Sequence, residues 1–141
     1  GCSILPIMFP RPGEDSALHE TRFTQPALFA LEYALAELWR SWGVEPSAVL
    51  GHSLGEYTAL VAAGAISLED AVPLVRLRAQ VMQEAVPVGV GTMAAVLGLE
   101  DAQVIAACAD AAGEEVVEAV NFNAPSQVVI AGHRGAVQRA C

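Results

Sequence analysis

The pentapeptide Gly51-His52-Ser53-Leu54-Gly55 constrains this chain more than any other feature. It follows the apolar run Ala48-Val49-Leu50 and precedes a helix-compatible stretch, Glu56-Tyr57-Thr58-Ala59-Leu60-Val61. That order predicts a strand, a sharp turn and a helix, with a serine at the apex. Glycines two before and two after Ser53 give the backbone room for a tight path. The turn then carries the hydroxyl out of the backbone envelope, beside a helix N-terminus. A serine placed there is a candidate nucleophile, and a nucleophilic serine needs a base.

Three histidines are available, and none fits that role on sequence grounds. His52 adjoins Ser53, and neighbouring side chains on a sharp turn diverge, so it reads as support for the turn. His19 lies in a polar, irregular stretch and reads as an exposed loop residue. His133 follows the strand-like run Val128-Val129-Ile130-Ala131 and has the chain order of a serine-then-histidine enzyme. It sits, however, in what reads as a second subdomain, and geometry rather than order defines a triad. The residues offer a nucleophile without a base.

A cation is the second candidate. Ser67 reads as an N-cap, with Asp70 completing part of a capping box, and the spacing predicts a helix over 68–84. Arg78 lies near its middle, among Leu74, Val75, Leu77 and Val81. Arg76 is the alternative and reads as a solvated helix arginine. A guanidinium held in a cleft presents a planar fork to a carboxylate, which a lysine ammonium does not.

Composition removes several classes of function. The 141 residues are 54% hydrophobic with a net charge of -9, and all seven basic residues are arginine. Nucleic-acid binding needs a basic patch to exchange for counterions, and none is visible. An acidic membrane surface is disfavoured for the same reason, and no apolar run approaches the ~18 residues of a membrane span. Cys2, Cys108 and Cys141 form no C-x-x-C, so the expectation is reduced thiols in the cytoplasm, with neither a metal site nor a disulfide framework. The chain starts at Gly1 without a leader-like segment and reads as an incomplete piece of a reading frame.

Further punctuation organises the chain into two parts. Residues 1–19 are broken by Pro6, Pro10, Pro12 and Gly13. A helix is expected from Thr24, with Pro26 in its first turn, Leu28, Leu31, Leu35, Leu38 and Trp42 at helical spacing, and Gly43 as its stop. A strand is expected over 48–50, and the helix after Ser53 should end near Gly64. Gly89 and Gly91 mark a loop. Beyond it the pattern predicts strand 92–97, helix 101–112, strands 116–120 and 127–131, and a helix starting at His133. That tail has the form of an unfinished split βαβ unit, and the boundary is set at about residue 88. Gly89-Val90-Gly91-Thr92-Met93-Ala94 matches G-x-G-x-x-A, yet it follows a helix and opens a strand, the reverse of a dinucleotide site. Asn121-Phe122-Asn123-Ala124-Pro125 reads first as a turn between strands; its amides, Asn123 in particular, are candidates for lining a cleft.

Several of these segments together resemble the malonyl-CoA:acyl carrier protein transacylase family, which includes the acyltransferase domains of polyketide and fatty acid synthases. They are Glu20-Thr21-Arg22-Phe23-Thr24-Gln25-Pro26-Ala27, the elbow through Tyr57, and Arg78 followed by Met82-Gln83-Glu84-Ala85. Met93-Ala94-Ala95-Val96 and the run from Asn121 to His133 continue the match. The resemblance implies an α/β fold in two incomplete parts. Residues 1–88 would belong to a large α/β-hydrolase-like subdomain and 89–141 to a small ferredoxin-like one. It makes Ser53 the acylated nucleophile and the backbone N–H of Leu54 an oxyanion donor. Arg78 becomes the partner of the free malonyl carboxylate, and His52 and Asn123 become substrate-binding candidates. Malonyl would pass from CoA to Ser53 and then to the phosphopantetheine thiol of an acyl carrier protein. The CoA thioester is substrate, and no metal or resident cofactor is implied.

Glu20-Thr21-Arg22-Phe23-Thr24-Gln25 and the aliphatic Leu54 resemble the malonyl-selective pattern rather than the methylmalonyl one. The family's catalytic histidine belongs to a later Phe-His-Ser-like segment that this sequence does not reach, so the resemblance implies an inactive or nearly inactive piece. Two other readings compete. One is a serine esterase or thioesterase of α/β-hydrolase type. The other is a non-catalytic carrier-binding fragment.

Overall fold

Helix ends in this chain are set by local chemistry. The computed structural model describes residues 3–141. Helix α1 (Leu5–Met8) and a 3-10 turn (Ala17–His19) precede α2 (Thr21–Ser41), α3 (Gly55–Ala62) and α4 (Leu68–Ala85). Then come β1 (Gly91–Leu97), α5 (Asp101–Ala112), β2 (Val117–Ala124), β3 (Gln127–His133) and α6 (Arg134–Ala140). The fold is α/β, and it divides into one unit ending at Ala85 and a second spanning Val86–Cys141.

In the first unit, α2 starts earlier than its proline suggests. Ser16 Oγ accepts the Leu18 N–H at 3.1 Å and caps the 3-10 turn, which leads straight into the helix. The amides of Phe23 and Thr24 then bond to the Glu20 carbonyl. Pro26 therefore lies inside α2 and not in its first turn. Both α2 and α3 end in a left-handed glycine. Gly43 and Gly64, at φ 78° and 71°, are each followed by an amide that reaches back five residues, Val44 to the Trp39 carbonyl and Ala65 to that of Leu60. That pattern satisfies carbonyls a helix end leaves open. Ser67 Oγ accepts the Asp70 N–H at 3.0 Å and starts α4.

The expected strand over 48–50 is not formed. Those residues carry no regular secondary structure and pair with no strand among the described residues, and Leu50 is 99% exposed. A strand is a relation between two segments, and among the described residues no strand pairs with this one. The core of the unit gathers Phe29 from α2, Leu54, Val61 from α3, and Ala71 and Val75 from α4. The leucine stripe of α2 lies elsewhere: Leu28, Leu31, Leu35, Leu38 and Trp42 are all exposed. An apolar helix face turned away from its own core marks a helix made to be covered on two sides.

The second unit is a three-stranded sheet in the order β1-β3-β2. Both outer strands run antiparallel to β3, from Gly91 opposite His133 to Leu97 opposite Gln127 on one side. Strands β1 and β2 are thus parallel to each other, joined through α5, with β3 inserted between them. Helix α5 opens on a full capping box, Glu100 with Gln103. Strand β2 runs on through Asn121, Phe122 and Asn123, so this segment is strand and the turn falls later, at Pro125-Ser126. Proline followed by Ser126 at φ 58° is the residue pairing of a type II turn. Val104 and Cys108 of α5, Val128 and Ile130 of β3, and Ala136 and Val137 of α6 fill the core. Burial pushes the Cys108 thiol up, with Cys141 and Glu118 adding to the shift, and this keeps the thiol protonated. Both Cys108 and Cys141 are free.

Candidate active site

The elbow stores strain at its apex. Ser53 has φ 55°, the left-handed region that residues with a Cβ rarely enter. The Gly55 N–H bonds to the His52 carbonyl at 2.9 Å, and the Tyr57 N–H to that of Leu54 at 3.0 Å, closing the turn into α3. A Cβ on Gly51 would fall 2.2 Å from both the carbonyl carbon and oxygen of Gly55, so nothing larger than glycine fits. Gly51→Ala is expected to lower the stability of the complete domain by about 3 kcal/mol, read as a fall in thermal midpoint. The second glycine differs: a Cβ on Gly55 meets nothing within 4 Å among the described residues.

This geometry leaves the Ser53 side chain exposed at the start of α3. The Leu54 side chain turns inward, 7% exposed, against the Phe29 and Val75 core. Its backbone N–H bonds to no acceptor among the described residues. An open amide beside a nucleophile is what an oxyanion hole requires.

Helix α4 supplies the cation. Arg78 is half-buried, and its Nη2 donates to Ser53 Oγ at 2.8 Å. Its Nη1 donates to Gln25 Oε1, and its Cζ lies 6.0 Å from the Tyr57 ring centroid. Arg76, two residues earlier, is exposed. The structure thus brings Arg78, not Arg76, to the serine. Among the described residues no carboxylate pairs with Arg78: the three ion pairs are Arg22–Glu20, Arg40–Glu37 and Arg139–Glu115.

Gln25 has a part that sequence reasoning passed over. It is the one buried polar side chain among the described residues, 6% exposed. Besides accepting from Arg78, its Nε2 donates to Thr21 Oγ1 at 2.9 Å. Thr21 and Gln25 are one helical turn apart, and that i,i+4 spacing was the signal available. What the sequence did not show is that α2 crosses α4 at Arg78.

The remaining candidates separate. His52 is exposed and contributes its carbonyl to the turn. It also lines an open groove of about 490 Å³ with Glu32, Leu50, Thr58 and Ala62, a groove that Ser53 does not line. His133 lies in the second unit, at the end of β3, where its Nδ1 accepts the N–H of Val116, the residue before β2, at 3.0 Å. Among the described residues no histidine hydrogen-bonds to Ser53 Oγ. Asn123 is exposed on β2 of the second unit.

Comparison with known proteins places this geometry in a lineage. Residues 1–141 match the acyl transferase domain family along their whole length. The chain belongs to that family. It is 54% identical over 129 residues to the malonyl CoA-acyl carrier protein transacylase of Escherichia coli (strain K12), covering 91% of this chain and 42% of that protein. It superposes on the crystal structure of the acyl-carrier-protein S-malonyltransferase from Burkholderia pseudomallei 1710b with a TM-score of 0.85 and 56% identity, over 98% of this chain and 45% of that one. It also matches a structure of a type II polyketide synthase acyl-carrier protein in complex with its malonyl-transacylase. There the TM-score is 0.87 at 45% identity, over 97% of this chain and 44% of that one. The chain spans less than half the length of these relatives.

Proposed function

We propose that the complete protein moves a malonyl group from CoA to the phosphopantetheine thiol of an acyl carrier protein, in fatty acid or polyketide synthesis, through a malonyl ester on Ser53. One observation carries this reading. Arg78 is a half-buried cation with no carboxylate partner among the described residues, and it touches the candidate nucleophile at 2.8 Å. A half-buried charge favours an anionic partner, and a guanidinium fork suits a carboxylate. Malonyl differs from acetyl by that carboxylate. The names of the relatives, malonyl transacylases and one in complex with its carrier protein, support the same assignment.

The mechanism follows from the atoms. Ser53 Oγ attacks the thioester carbonyl carbon while Arg78 holds the malonyl carboxylate. Negative charge develops on the carbonyl oxygen, and the Leu54 N–H stabilises it; one such donor is worth about 3 kcal/mol in a transition state. A general base takes the Ser53 proton as the C–O bond forms. The tetrahedral centre then collapses, the C–S bond breaks and CoA leaves as the thiol with that proton. The carrier thiol attacks the Ser53 ester by the reverse path, returning a proton to Ser53 Oγ. None of His19, His52 and His133 is assigned as the base. His52 and Asn123 are kept as substrate-binding proposals.

In this reading residues 1–88 belong to an α/β-hydrolase-like subdomain and 89–141 to a ferredoxin-like one, the latter supported by the inserted antiparallel β3. The exposed leucine stripe of α2 is a surface for the rest of the large subdomain. No helix among the described residues is long and apolar enough to cross a membrane. The protein is proposed to work in the cytoplasm without a resident cofactor, nucleic acid or membrane as partner.

The test is a partition assay on the complete protein. Malonyl-CoA is offered with and without a phosphopantetheinylated carrier protein, and malonyl-carrier and free malonate are both measured. Malonyl-carrier is expected to dominate. Free malonate at the same rate with or without carrier would mark an esterase, and neither product would mark a docking piece.

A further inference from the structure

Gln25 is held in one orientation by chemically distinct neighbours. Its Nε2 donates to Thr21 Oγ1 at 2.9 Å and to Met82 Sδ at 3.3 Å, while its Oε1 accepts from Arg78 Nη1. A thioether sulfur only accepts and a guanidinium only donates. Turning the amide over would face oxygen to sulfur and N–H to guanidinium, so Met82 and Arg78 together fix it. Met82 follows Arg78 by one turn of α4, on the same helix face. It is also 47% exposed among the described residues, so its sulfur touches a buried amide while part of the side chain is uncovered.

We propose that Met82 is an oxidation site that sets the position of Arg78 through Gln25. The inference rests on the reading of Arg78 as the malonyl-carboxylate partner. The oxidant class is a peroxide. A sulfur lone pair attacks one oxygen of hydrogen peroxide, the O–O bond breaks and an S–O bond forms. The departing hydroxide takes the remaining peroxide proton and leaves as water. Sulfur loses two electrons and the peroxide gains them. The product is a polar, chiral sulfoxide, reversible by methionine sulfoxide reductases.

At 3.3 Å, the line between sulfur and Nε2 has no room for an added oxygen. Oxygen added to the lone pair that faces Nε2 moves the side chain or the amide; oxygen added to the other lone pair leaves a positively polarised sulfur that accepts poorly from Nε2. Either outcome removes the Met82 restraint, so Gln25 is held by Thr21 and Arg78 alone and the acceptor that aims Arg78 Nη1 is less firmly placed. Malonyl binding then weakens, whereas acetyl, which has no free carboxylate, is untouched. Met82 is in this sense a positioning residue.

The experiment uses the complete protein, graded hydrogen peroxide and peptide mass spectrometry to locate the sulfoxide, with KM and kcat measured for malonyl-CoA and acetyl-CoA. As sulfoxide accumulates at Met82, the malonyl KM is expected to rise about tenfold, the scale of a weakened charged hydrogen bond. Acetyl turnover should hold, and reductase treatment should restore the malonyl KM. Met82→Leu should itself raise that KM severalfold and then show no further peroxide effect. Its thermal midpoint is checked first, and Met82→Gln, which restores an acceptor, serves as the second variant. Stoichiometric sulfoxide at Met82 with an unchanged malonyl KM would overturn the proposal. So would oxidation of Met8 or Met93 with Met82 spared, or equal peroxide sensitivity in the leucine variant. An Arg78→Ala protein that keeps its malonyl preference would instead remove the underlying reading of Arg78.

Discussion

Ser53→Ala in the complete protein is expected to abolish the acyl adduct formed with malonyl-CoA and to cut malonyl transfer by several orders of magnitude. Removing the nucleophile of a serine hydrolase costs on the order of 10⁶ in kcat. The substitution is a clean probe here for structural reasons. Ser53 is exposed and its Oγ bonds to Arg78, so removing the hydroxyl opens no cavity in the Phe29, Leu54 and Val75 core. Alanine and serine both carry a Cβ, so the strain of φ 55° is similar in the two proteins and the elbow keeps its path. Intact-mass spectrometry after acid quench reads the adduct directly. An adduct of unchanged stoichiometry on the alanine variant would move the acylation to another residue.

What could be read in the sequence was whatever depends on neighbours along the chain. The stops at Gly43 and Gly64 and the start at Ser67 involve residues within a few positions of one another. Helix α5 spans Asp101–Ala112, as its spacing predicts, because its capping box and following glycine are both local signals. The sharp turn at Ser53 belongs to the same class, since Gly51 makes room for Gly55, four residues on. Pairings across the chain were not legible. The segment 48–50 has strand composition without a ladder partner, and the α2 stripe has core composition while lying outside its core. Proline misplaced the start of α2 because the 3-10 turn capped by Ser16 nucleates the helix before Pro26 is reached. Gln25 was visible only as part of a family pattern. Its contact with Arg78 joins residues 53 apart, and no spacing rule reaches that far.

Arg78→Ala carries the second large effect, and it separates acyl groups instead of abolishing chemistry. The guanidinium is held by Gln25 on one side and lies against Ser53 Oγ on the other, so a bound malonyl carboxylate would find a cation already aimed. Preorganisation of this kind lowers the ordering cost of binding. Without the cation, a malonyl carboxylate entering the site is desolvated and unpaired, a penalty of about 3–5 kcal/mol for a broken buried pair. Arg78 is only half-buried among the described residues, so solvent screening reduces that figure. The expected loss in kcat/KM for malonyl-CoA is therefore about 10²-fold. Acetyl-CoA brings no carboxylate, and its kcat/KM should stay level or rise, because the alanine variant no longer ties Ser53 Oγ to a donor. Parallel initial-rate measurements with the two thioesters read the ratio. Arg78→Lys refines the result: it keeps the charge but not the fork that bonds Ser53 and Gln25 together, so it should recover part of the malonyl rate and not all of it. Equal losses for malonyl and acetyl in the alanine variant would make Arg78 a support of the elbow rather than the determinant of acyl choice.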